Sequence, residues 1–243
     1  MKICEKLAAR SQNAGACAPV LIAFIGDSVT HGCFEDYKDH KNEIGVGYEP
    51  DQGYPERLKR WLDALYPAGS VSILNAGVSG ETAADGARRL ERDVLARRTD
   101  LVVIAFALND SMAPDVEAGL AAYRAAMADM IARVRESGAE CIVQTPSHMC
   151  AYVPSAVKDA QLREIAAQAA QVQNTGVLAR YAQAARETAA AQGVPVADAF
   201  AVWERMARCG VDTTALLANH INHPTRQAHD IFVAALLDVI DLK

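Results

Sequence analysis

Apolar residues gather along this chain into short continuous runs, and longer stretches with helical periodicity lie between them. The apolar runs predict five strands, of which the last is weak, at residues 20–25, 71–74, 101–107, 140–145 and 194–197. The helical stretches fall at residues 55–66, 82–96, 116–136, 158–192 and 226–240. Because most of the strand runs are apolar throughout rather than alternating, we expect strands that are covered on both faces.

This alternation of strands and helices predicts the fold class. A βαβα order is typical of a largely parallel sheet with right-handed crossovers and with helices on both faces. No linker, repeat or low-complexity tract interrupts the order, so we predict a single domain over residues 1–243. The alanine-rich stretch at 158–192 is expected to form two helices with a break at 174–176. Residues 31–53 are predicted to be a long loop without secondary structure that forms one wall of a cleft.

Composition and charge exclude several classes of function. The net charge is −6 and the basic residues are scattered rather than clustered, so nucleic acid is not an expected partner. No apolar stretch reaches the roughly 18 residues of a transmembrane helix, and the first residues lack the apolar segment of a secretory signal. We therefore expect a cytoplasmic protein with no membrane partner. The six cysteines form no CxxC pair and are expected to be free thiols.

The first predicted strand ends in a candidate nucleophile. Its apolar run is followed at once by Gly26-Asp27-Ser28, which would deliver a serine hydroxyl to the end of a sheet. Three other segments hold comparable positions: residues 75–80 follow the second strand, residues 107–110 follow the third, and residues 223–224 open the last helical stretch. Because ligands bind at the carboxyl ends of parallel strands, we expect the four segments to converge on one site.

The residue types in these segments suit acyl transfer. A serine hydroxyl needs a base that removes its proton, and His223, at a loop-to-helix corner before Pro224, is the candidate among six histidines. The developing oxyanion needs hydrogen-bond donors, and the candidates are the backbone N–H groups of Ser28 and Gly77 and the side-chain amide of Asn109. Taken singly, Gly77 also fits an ordinary strand-to-helix turn and Asn109 also fits a helix cap.

Taken together, Gly26-Asp27-Ser28, Gly77, Asn109 and His223 resemble the SGNH, or GDSL, hydrolase superfamily, whose four sequence blocks bear Ser, Gly, Asn and His in that order. The resemblance extends over residues 20–239. It implies a three-layer α/β/α sandwich with a flavodoxin-like, mainly parallel five-stranded sheet. It also implies a serine esterase or related deacylase that acts on a small-molecule ester and needs no cofactor or metal.

The same resemblance implies a role for each block. The Ser28 hydroxyl would attack the acyl carbon, and His223 would transfer the proton. The oxyanion hole would be formed by Ser28 N–H, Gly77 N–H and Asn109. Asp27 lies beside the nucleophile and is a candidate supporting residue.

Two positions depart from the family pattern. The third block is usually Gly-x-Asn-Asp, and here Ala107 occupies the glycine position. The family often places an aspartate three residues before the catalytic histidine, and here that position is His220, with Asn219 beside it. His220 and Asn219 are therefore only candidate supporting residues. The group that orients His223 stays open among a backbone carbonyl, another acid such as Asp212, and no partner at all.

The leading hypothesis is a hydrolase that cleaves a small acyl ester, such as a carbohydrate acetyl ester, through an acyl-enzyme. The alternative is a catalytically weak or inactive relative that binds a carbohydrate or acyl group, and an acyltransferase would differ only in its acceptor. A metal site at His220 and His223 is disfavoured because Pro224 opposes helical geometry. A phosphate site at residues 77–82 is disfavoured because it lacks the P-loop ending. The acyl group and the oligomeric state stay open.

Overall fold

A five-stranded parallel sheet forms the middle layer of the structure, a computed structural model that describes residues 1–240. Two further strands form a separate antiparallel hairpin. In chain order the strands are β1 (Val20–Gly26), β2 (Cys33–Lys38), β3 (Ile44–Tyr48), β4 (Val71–Gly77), β5 (Leu101–Ala105), β6 (Glu140–Gln144) and β7 (Val196–Ala197). The sheet order is β4-β1-β5-β6-β7, and the hairpin pairs β2 with β3.

The strand order confirms the predicted fold class. If the five sheet strands are numbered by themselves, their order is 2-1-3-4-5, which is the flavodoxin-like order. In such a sheet the chain leaves the neighbouring central strands in opposite directions, and a crevice opens at their carboxyl ends. The register pairs Gly26 with both Gly77 and Ala105, so β1, β4 and β5 reach this edge together. The segments that follow these three strands therefore lie side by side.

Helices cover the sheet in two layers. In chain order they are α1 (Lys2–Gln12), α2 (Ser28–His31), α3 (Tyr54–Leu65), α4 (Ala83–Asp93), α5 (Val116–Glu136), α6 (Ala160–Asn174), α7 (Val177–Ala191), α8 (Ala199–Arg208) and α9 (His229–Ile240). In one layer α4 packs on α5, α5 on α7, and α7 on α6, and α3, α8 and α9 form a second packed group. The central strands β1 and β5 are apolar because both of their faces are buried.

Most predicted elements are present, with shifted ends. The predicted break in the alanine-rich stretch is confirmed: α6 ends at Asn174 and Gly176, with a φ of 77°, precedes α7. Three helices, α1, the four-residue α2 and α8, were not predicted. The third strand ends at Ala105 rather than at residue 107, because its pairing with the neighbouring strands stops there. No helix within residues 1–240 is long and apolar enough to cross a membrane.

The prediction that residues 31–53 lack secondary structure is wrong. The segment contains the hairpin β2–β3 and a short 3-10 helix at Pro50–Gln52. The alternation of side chains that marks a strand is hidden in β3, because Gly45 and Gly47 replace two of its side chains. A Cβ atom at Gly45 would lie 2.6 Å from the ring of Tyr37, so the glycine leaves room for that ring.

Candidate active site

Ser28 and His223 meet at the carboxyl end of β1. Their side chains are joined by a hydrogen bond of 3.0 Å between Ser28 Oγ and His223 Nε2, across 195 residues of sequence. Ser28 is the first residue of the short helix α2, and the side chain of Asp27 caps this helix by accepting the N–H of Val29. Both partners are buried, which keeps the hydroxyl and the imidazole in a fixed relation.

The imidazole of His223 is oriented by a backbone carbonyl. Its Nδ1 lies 2.9 Å from the oxygen of Phe34 on β2. Because a carbonyl only accepts hydrogen bonds, Nδ1 carries the proton and Nε2 presents its lone pair to Ser28. Burial lowers the pKa of His223 below its usual value, although Asp36 opposes the shift. The imidazole is therefore neutral at pH 7, which is the form that accepts a proton.

Asp36 is the functional residue that the sequence did not indicate. Its Oδ1 lies 3.7 Å from His223 Nδ1, and it comes from hairpin strand β2 rather than from the loop before the histidine. Burial raises the pKa of Asp36, and the neighbouring His223 opposes this rise. Asp36 lies eight residues after Ser28, in the segment whose hairpin was not predicted. Without the hairpin, no sequence pattern places this carboxylate beside the imidazole.

Asn219 holds both the histidine loop and the carboxylate. Its Oδ1 accepts the N–H groups of residues 221, 222 and 223, at 2.9–3.0 Å. Its Nδ2 donates to Asp36 Oδ2 at 2.9 Å and to Asn222 Oδ1 at 3.0 Å. A single amide thus ties the backbone of His223 to Asp36, so Asn219, a predicted supporting residue, contacts the site directly.

His220 and Asp212 have other positions than the sequence suggested. His220 has a φ of 60° and lies half-buried in the turn that Asn219 organises, and within residues 1–240 its side chain makes no hydrogen bond. Asp212 caps the 3-10 helix Thr213–Leu216 and accepts a hydrogen bond from the hydroxyl of Tyr152. Asp212 as the orienting acid of His223 is therefore wrong.

The prediction that the Gly77 N–H is an oxyanion donor is also wrong. This N–H already donates to Asn75 Oδ1 at 2.9 Å. A Cβ at Gly77 would lie 2.3 Å from the backbone nitrogen of His31, so this glycine is needed for close packing of β4 against α2. The ordinary reading, in which Gly77 serves the turn, is the one that the contacts support.

Gly80, three residues later, presents the free amide. Its N–H donates to no acceptor among the described residues, and a Cβ built on it would meet nothing within 4 Å. Its φ is 82°, a conformation that glycine adopts readily. The N–H of Ser28 lies in the first turn of α2, where amides have no partner within the helix. The sequence signal for Gly80 was present, since it belongs to the same segment 75–80.

Asn109 directs its side chain to the same turn. Its Nδ2 donates to the carbonyl of Glu81 at 2.8 Å, which leaves the second N–H of the amide for another acceptor. The side chain makes no cap hydrogen bond to the 3-10 helix that follows, so the helix-cap reading does not hold. Ala107, two residues earlier, has a φ of 156°, in a region that favours glycine. This matches the family pattern, in which glycine occupies that position.

Two buried aspartates lie beneath the site. Burial raises the pKa of Asp27 to about 7, although the N–H of Val29 opposes the rise. Burial likewise raises the pKa of Asp110 to about 6, and its Oδ1 accepts the N–H of Ala83 at the start of α4. Asp27 and Asp110 therefore bind backbone amides at the starts of α2 and α4. Both serve the turns that carry the site residues.

Known proteins share sequence with this chain. The profile of the GDSL-like Lipase/Acylhydrolase family matches residues 24–231. An acetylxylan esterase of Geobacillus stearothermophilus is 34% identical over 89 residues, and the uncharacterised lipoprotein YqeF of Bacillus subtilis is 34% identical over 93 residues. Each match covers 37% of this chain, and the two matches cover 39% and 32% of the relatives' own length.

Solved structures share the fold over nearly the whole chain. The crystal structure of an acetylxylan esterase from Geobacillus stearothermophilus has a TM-score of 0.67 at 22% identity and covers 92% of this chain and 95% of that one. An α/β hydrolase from the metagenome of Lake Arreo has a TM-score of 0.66 at 22% identity, with 91% and 95% covered. Because the family profile spans residues 24–231 of 243, the chain belongs to the GDSL-like lipase/acylhydrolase family.

Proposed function

We propose that the protein is a serine hydrolase that cleaves a small carboxylic ester through an acyl-enzyme. The observation that carries this proposal is the 3.0 Å contact between Ser28 Oγ and the unprotonated Nε2 of His223, whose Nδ1 proton is held by Phe34. A nucleophile, a base and a group that orients the base are the parts that acyl transfer requires. Membership of a family of lipases and acylhydrolases supports the same reaction class.

In the proposed reaction, Ser28 Oγ attacks the carbonyl carbon and its proton passes to His223 Nε2. The tetrahedral intermediate collapses, the bond to the alcohol oxygen breaks, and the proton on Nε2 goes to that oxygen. Water then attacks the acyl carbon, giving a proton to His223, and the proton returns to Ser28 as the carboxylic acid leaves. The carboxylate of Asp36, 3.7 Å from Nδ1, stabilises the imidazolium that forms in each half of the cycle.

The proposed oxyanion hole has three donors, namely the N–H groups of Ser28 and Gly80 and the side-chain amide of Asn109. Two of them are backbone amides without an acceptor among the described residues, and the third has one N–H to spare. Donors fixed before the reaction cost no reorganisation when the charge appears. Loss of one such donor reduces kcat by roughly 100- to 1,000-fold.

We propose a carbohydrate acetyl ester as the substrate. The support is the similarity to an acetylxylan esterase in sequence and in fold. The contact between Ser28 and His223 favours turnover over the alternative of binding alone, because a binding site needs no serine beside a base.

A Ser28→Ala variant tests the proposal. The wild type is expected to hydrolyse 4-nitrophenyl acetate and acetylated xylo-oligosaccharides, and to be labelled by a fluorophosphonate on the peptide that contains Ser28. Ser28→Ala should abolish both signals, whereas the exposed Ser155→Ala should keep them. Equal turnover by the wild type and Ser28→Ala would refute the proposal. Transfer of the acetyl group to an added alcohol in preference to water would make the enzyme an acyltransferase.

A further inference from the structure

Arg226 joins the histidine loop to both strands of the hairpin β2–β3. Its guanidinium makes two parallel hydrogen bonds to Glu35 on β2, from Nη1 at 2.6 Å and from Nη2 at 2.9 Å. It also binds Glu49, which directly follows β3, through Nε at 2.9 Å and through Nη2. The same group lies over the buried ring of Phe34, 4.4 Å from its centroid. We call Arg226, Glu35 and Glu49 the arginine clamp.

The clamp surrounds the two groups that face His223 Nδ1. Phe34 precedes Glu35 and supplies the carbonyl that accepts the Nδ1 proton, while Asp36 follows Glu35 and supplies the carboxylate. Arg226 lies three residues after His223 on the same loop. A shift of Glu35 relative to Arg226 would therefore move both groups relative to the imidazole.

We propose that Arg226 is a positioning residue for the proposed hydrolysis. By binding Glu35 and Glu49 and neutralising their charges, Arg226 keeps Phe34 and Asp36 in contact with His223. The proposal rests on the proposed function and assigns the clamp to it. Glu35 and Glu49 both bind one guanidinium, and without it these two like charges repel each other. The hairpin would then be forced away from the histidine loop at the point where the imidazole is oriented.

Several charged groups face the imidazole from the elements packed around it. Asp36 and Glu35 lie on β2 and both favour its protonated form, while His229 lies at the start of α9. Removal of Arg226 lets the hairpin move away from the histidine loop, so the carboxylate of Asp36 and the carbonyl of Phe34, which both raise the pKa of His223, lose contact with the imidazole. The acidic limb of the pH profile should therefore move to lower pH. A role confined to folding stability would leave that limb in place.

The test compares Arg226→Met with Arg180→Met. Arg180 forms an exposed ion pair with Glu117 on another face and serves as the matched control. Arg226→Met is expected to lower kcat on 4-nitrophenyl acetate by about tenfold to a hundredfold, with little change in KM and with the acidic limb shifted to lower pH. Arg180→Met should change none of these. A fall in Tm with unchanged kcat and pH profile would overturn the proposal.

Removal of the two carboxylates of the arginine clamp should restore activity to the Arg226→Met variant. In the triple variant Arg226→Met, Glu35→Gln, Glu49→Gln the repulsion is gone, so at least a third of the wild-type kcat should return. An Arg226→Lys variant is expected to remain impaired, because an ammonium cannot bind two carboxylates in the geometry of a guanidinium. No recovery in the triple variant, in a protein that melts as one unit, would contradict the proposed role of the clamp.

A measurement without substrate separates this proposal from the proposed function. In ¹⁵N-histidine NMR, the Nδ1 proton of His223 should be seen in the wild type and should exchange at least tenfold faster with water in Arg226→Met. Unchanged exchange would overturn the role of the clamp even if esters are hydrolysed. Faster exchange in a protein without any Ser28-dependent turnover would support the clamp and refute the hydrolase.

Discussion

Asp36 supplies the negative charge that the sequence around His223 lacks. The position three residues before the histidine holds His220, whose side chain makes no hydrogen bond within residues 1–240. The carboxylate reaches the imidazole from β2 instead, 3.7 Å from Nδ1. Because Phe34 already fixes the tautomer, Asp36 acts by favouring the charged imidazolium rather than by orienting the ring.

Asp36→Asn is expected to lower kcat/KM for 4-nitrophenyl acetate by about tenfold to a hundredfold, because the imidazolium loses its counter-charge while its orientation is kept. The carboxylate raises the pKa of His223, so the variant's acidic limb should move to lower pH. The measurement is a pH–rate profile, with His220→Ala as the control that stays within about twofold of the wild type. A larger loss in His220→Ala than in Asp36→Asn would show that the assignment is mistaken.

The buried carboxyl of Asp27 makes stability depend on pH. Its pKa is about 7 in the folded protein and near 4 in the unfolded chain, so its contribution to stability is full below about pH 4 and is lost as pH rises through about 7. Asp27→Asn keeps an oxygen to cap α2 and cannot ionise. Relative to the wild type, it should gain about 1 kcal/mol or more in unfolding free energy between pH 5 and pH 8.

Urea denaturation at the two pH values measures this difference. Asp129→Asn, in which the exposed acid on α5 is changed, is the matched control and should show no comparable dependence. If Asp27→Asn differed from the wild type by the same amount at pH 5 and pH 8, the ionisation of Asp27 would not be the cause.

At the scale of elements, Arg89 of α4 ties together the ends of two strands. The guanidinium, 7% exposed, donates to the carbonyl of Gly26 at the end of β1 and to that of Ala76 in β4. It also pairs with Glu81 in the turn that follows β4. The turns that bear Ser28 and Gly80 are thus held in register by one side chain. The sheet alone does not fix them, because both turns lie beyond the last paired residues.

Arg89→Met is expected to lower the unfolding free energy by about 2–4 kcal/mol, because two buried carbonyls and the carboxylates of Glu81 and Asp93 each lose a hydrogen bond. The neighbouring Arg88 is 71% exposed and pairs with Asp85, so Arg88→Met should cost about 0.5 kcal/mol or less. Chemical denaturation of both variants gives the comparison. Equal losses of unfolding free energy in the two variants would mean that the buried guanidinium of Arg89 stabilises the fold no more than the exposed one of Arg88.

At the scale of the whole molecule, one hydrophobic core connects the N-terminal helix to the last one. Leu7 of α1 and Leu236 of α9 are both fully buried and belong to the same cluster as the sheet strands. The amides of Lys2 and Ile3 at the start of α1 also donate to the carboxylate of Glu140 at the start of β6. A continuous core of this kind unfolds as a unit in most domains, which agrees with the predicted single domain.

Leu7→Ala is expected to lower the unfolding free energy by about 2–4 kcal/mol, because a buried side chain leaves a cavity. Circular dichroism and loss of activity should show one shared transition at a lower denaturant concentration. Leu65→Ala, at a 48% exposed position of α3, should shift this midpoint little. Two separate transitions in Leu7→Ala would argue against one cooperative domain.

The sequence predictions that are confirmed were based on local patterns in the chain. Continuous apolar runs indicated buried parallel strands, because a strand covered on both faces has no polar side to show. The order of strands and helices then indicated the sheet, and the placement of Ser28 and His223 after these elements indicated a meeting point at its edge. These contacts do not test the predicted cytoplasmic location, which stays a prediction.

The fold class and the nucleophile–base pair could be predicted from the chain, because the apolar periodicity and the residues at strand ends are local properties. The groups that complete the site became known only from the folded arrangement. Asp36 approaches His223 although 186 residues lie between them in the chain, and Gly80 rather than Gly77 has a free N–H because Asn75 accepts that of Gly77. Which groups complete the site depends on distances between elements and on hydrogen bonds already made. Neither can be predicted from the spacing of residues along a chain.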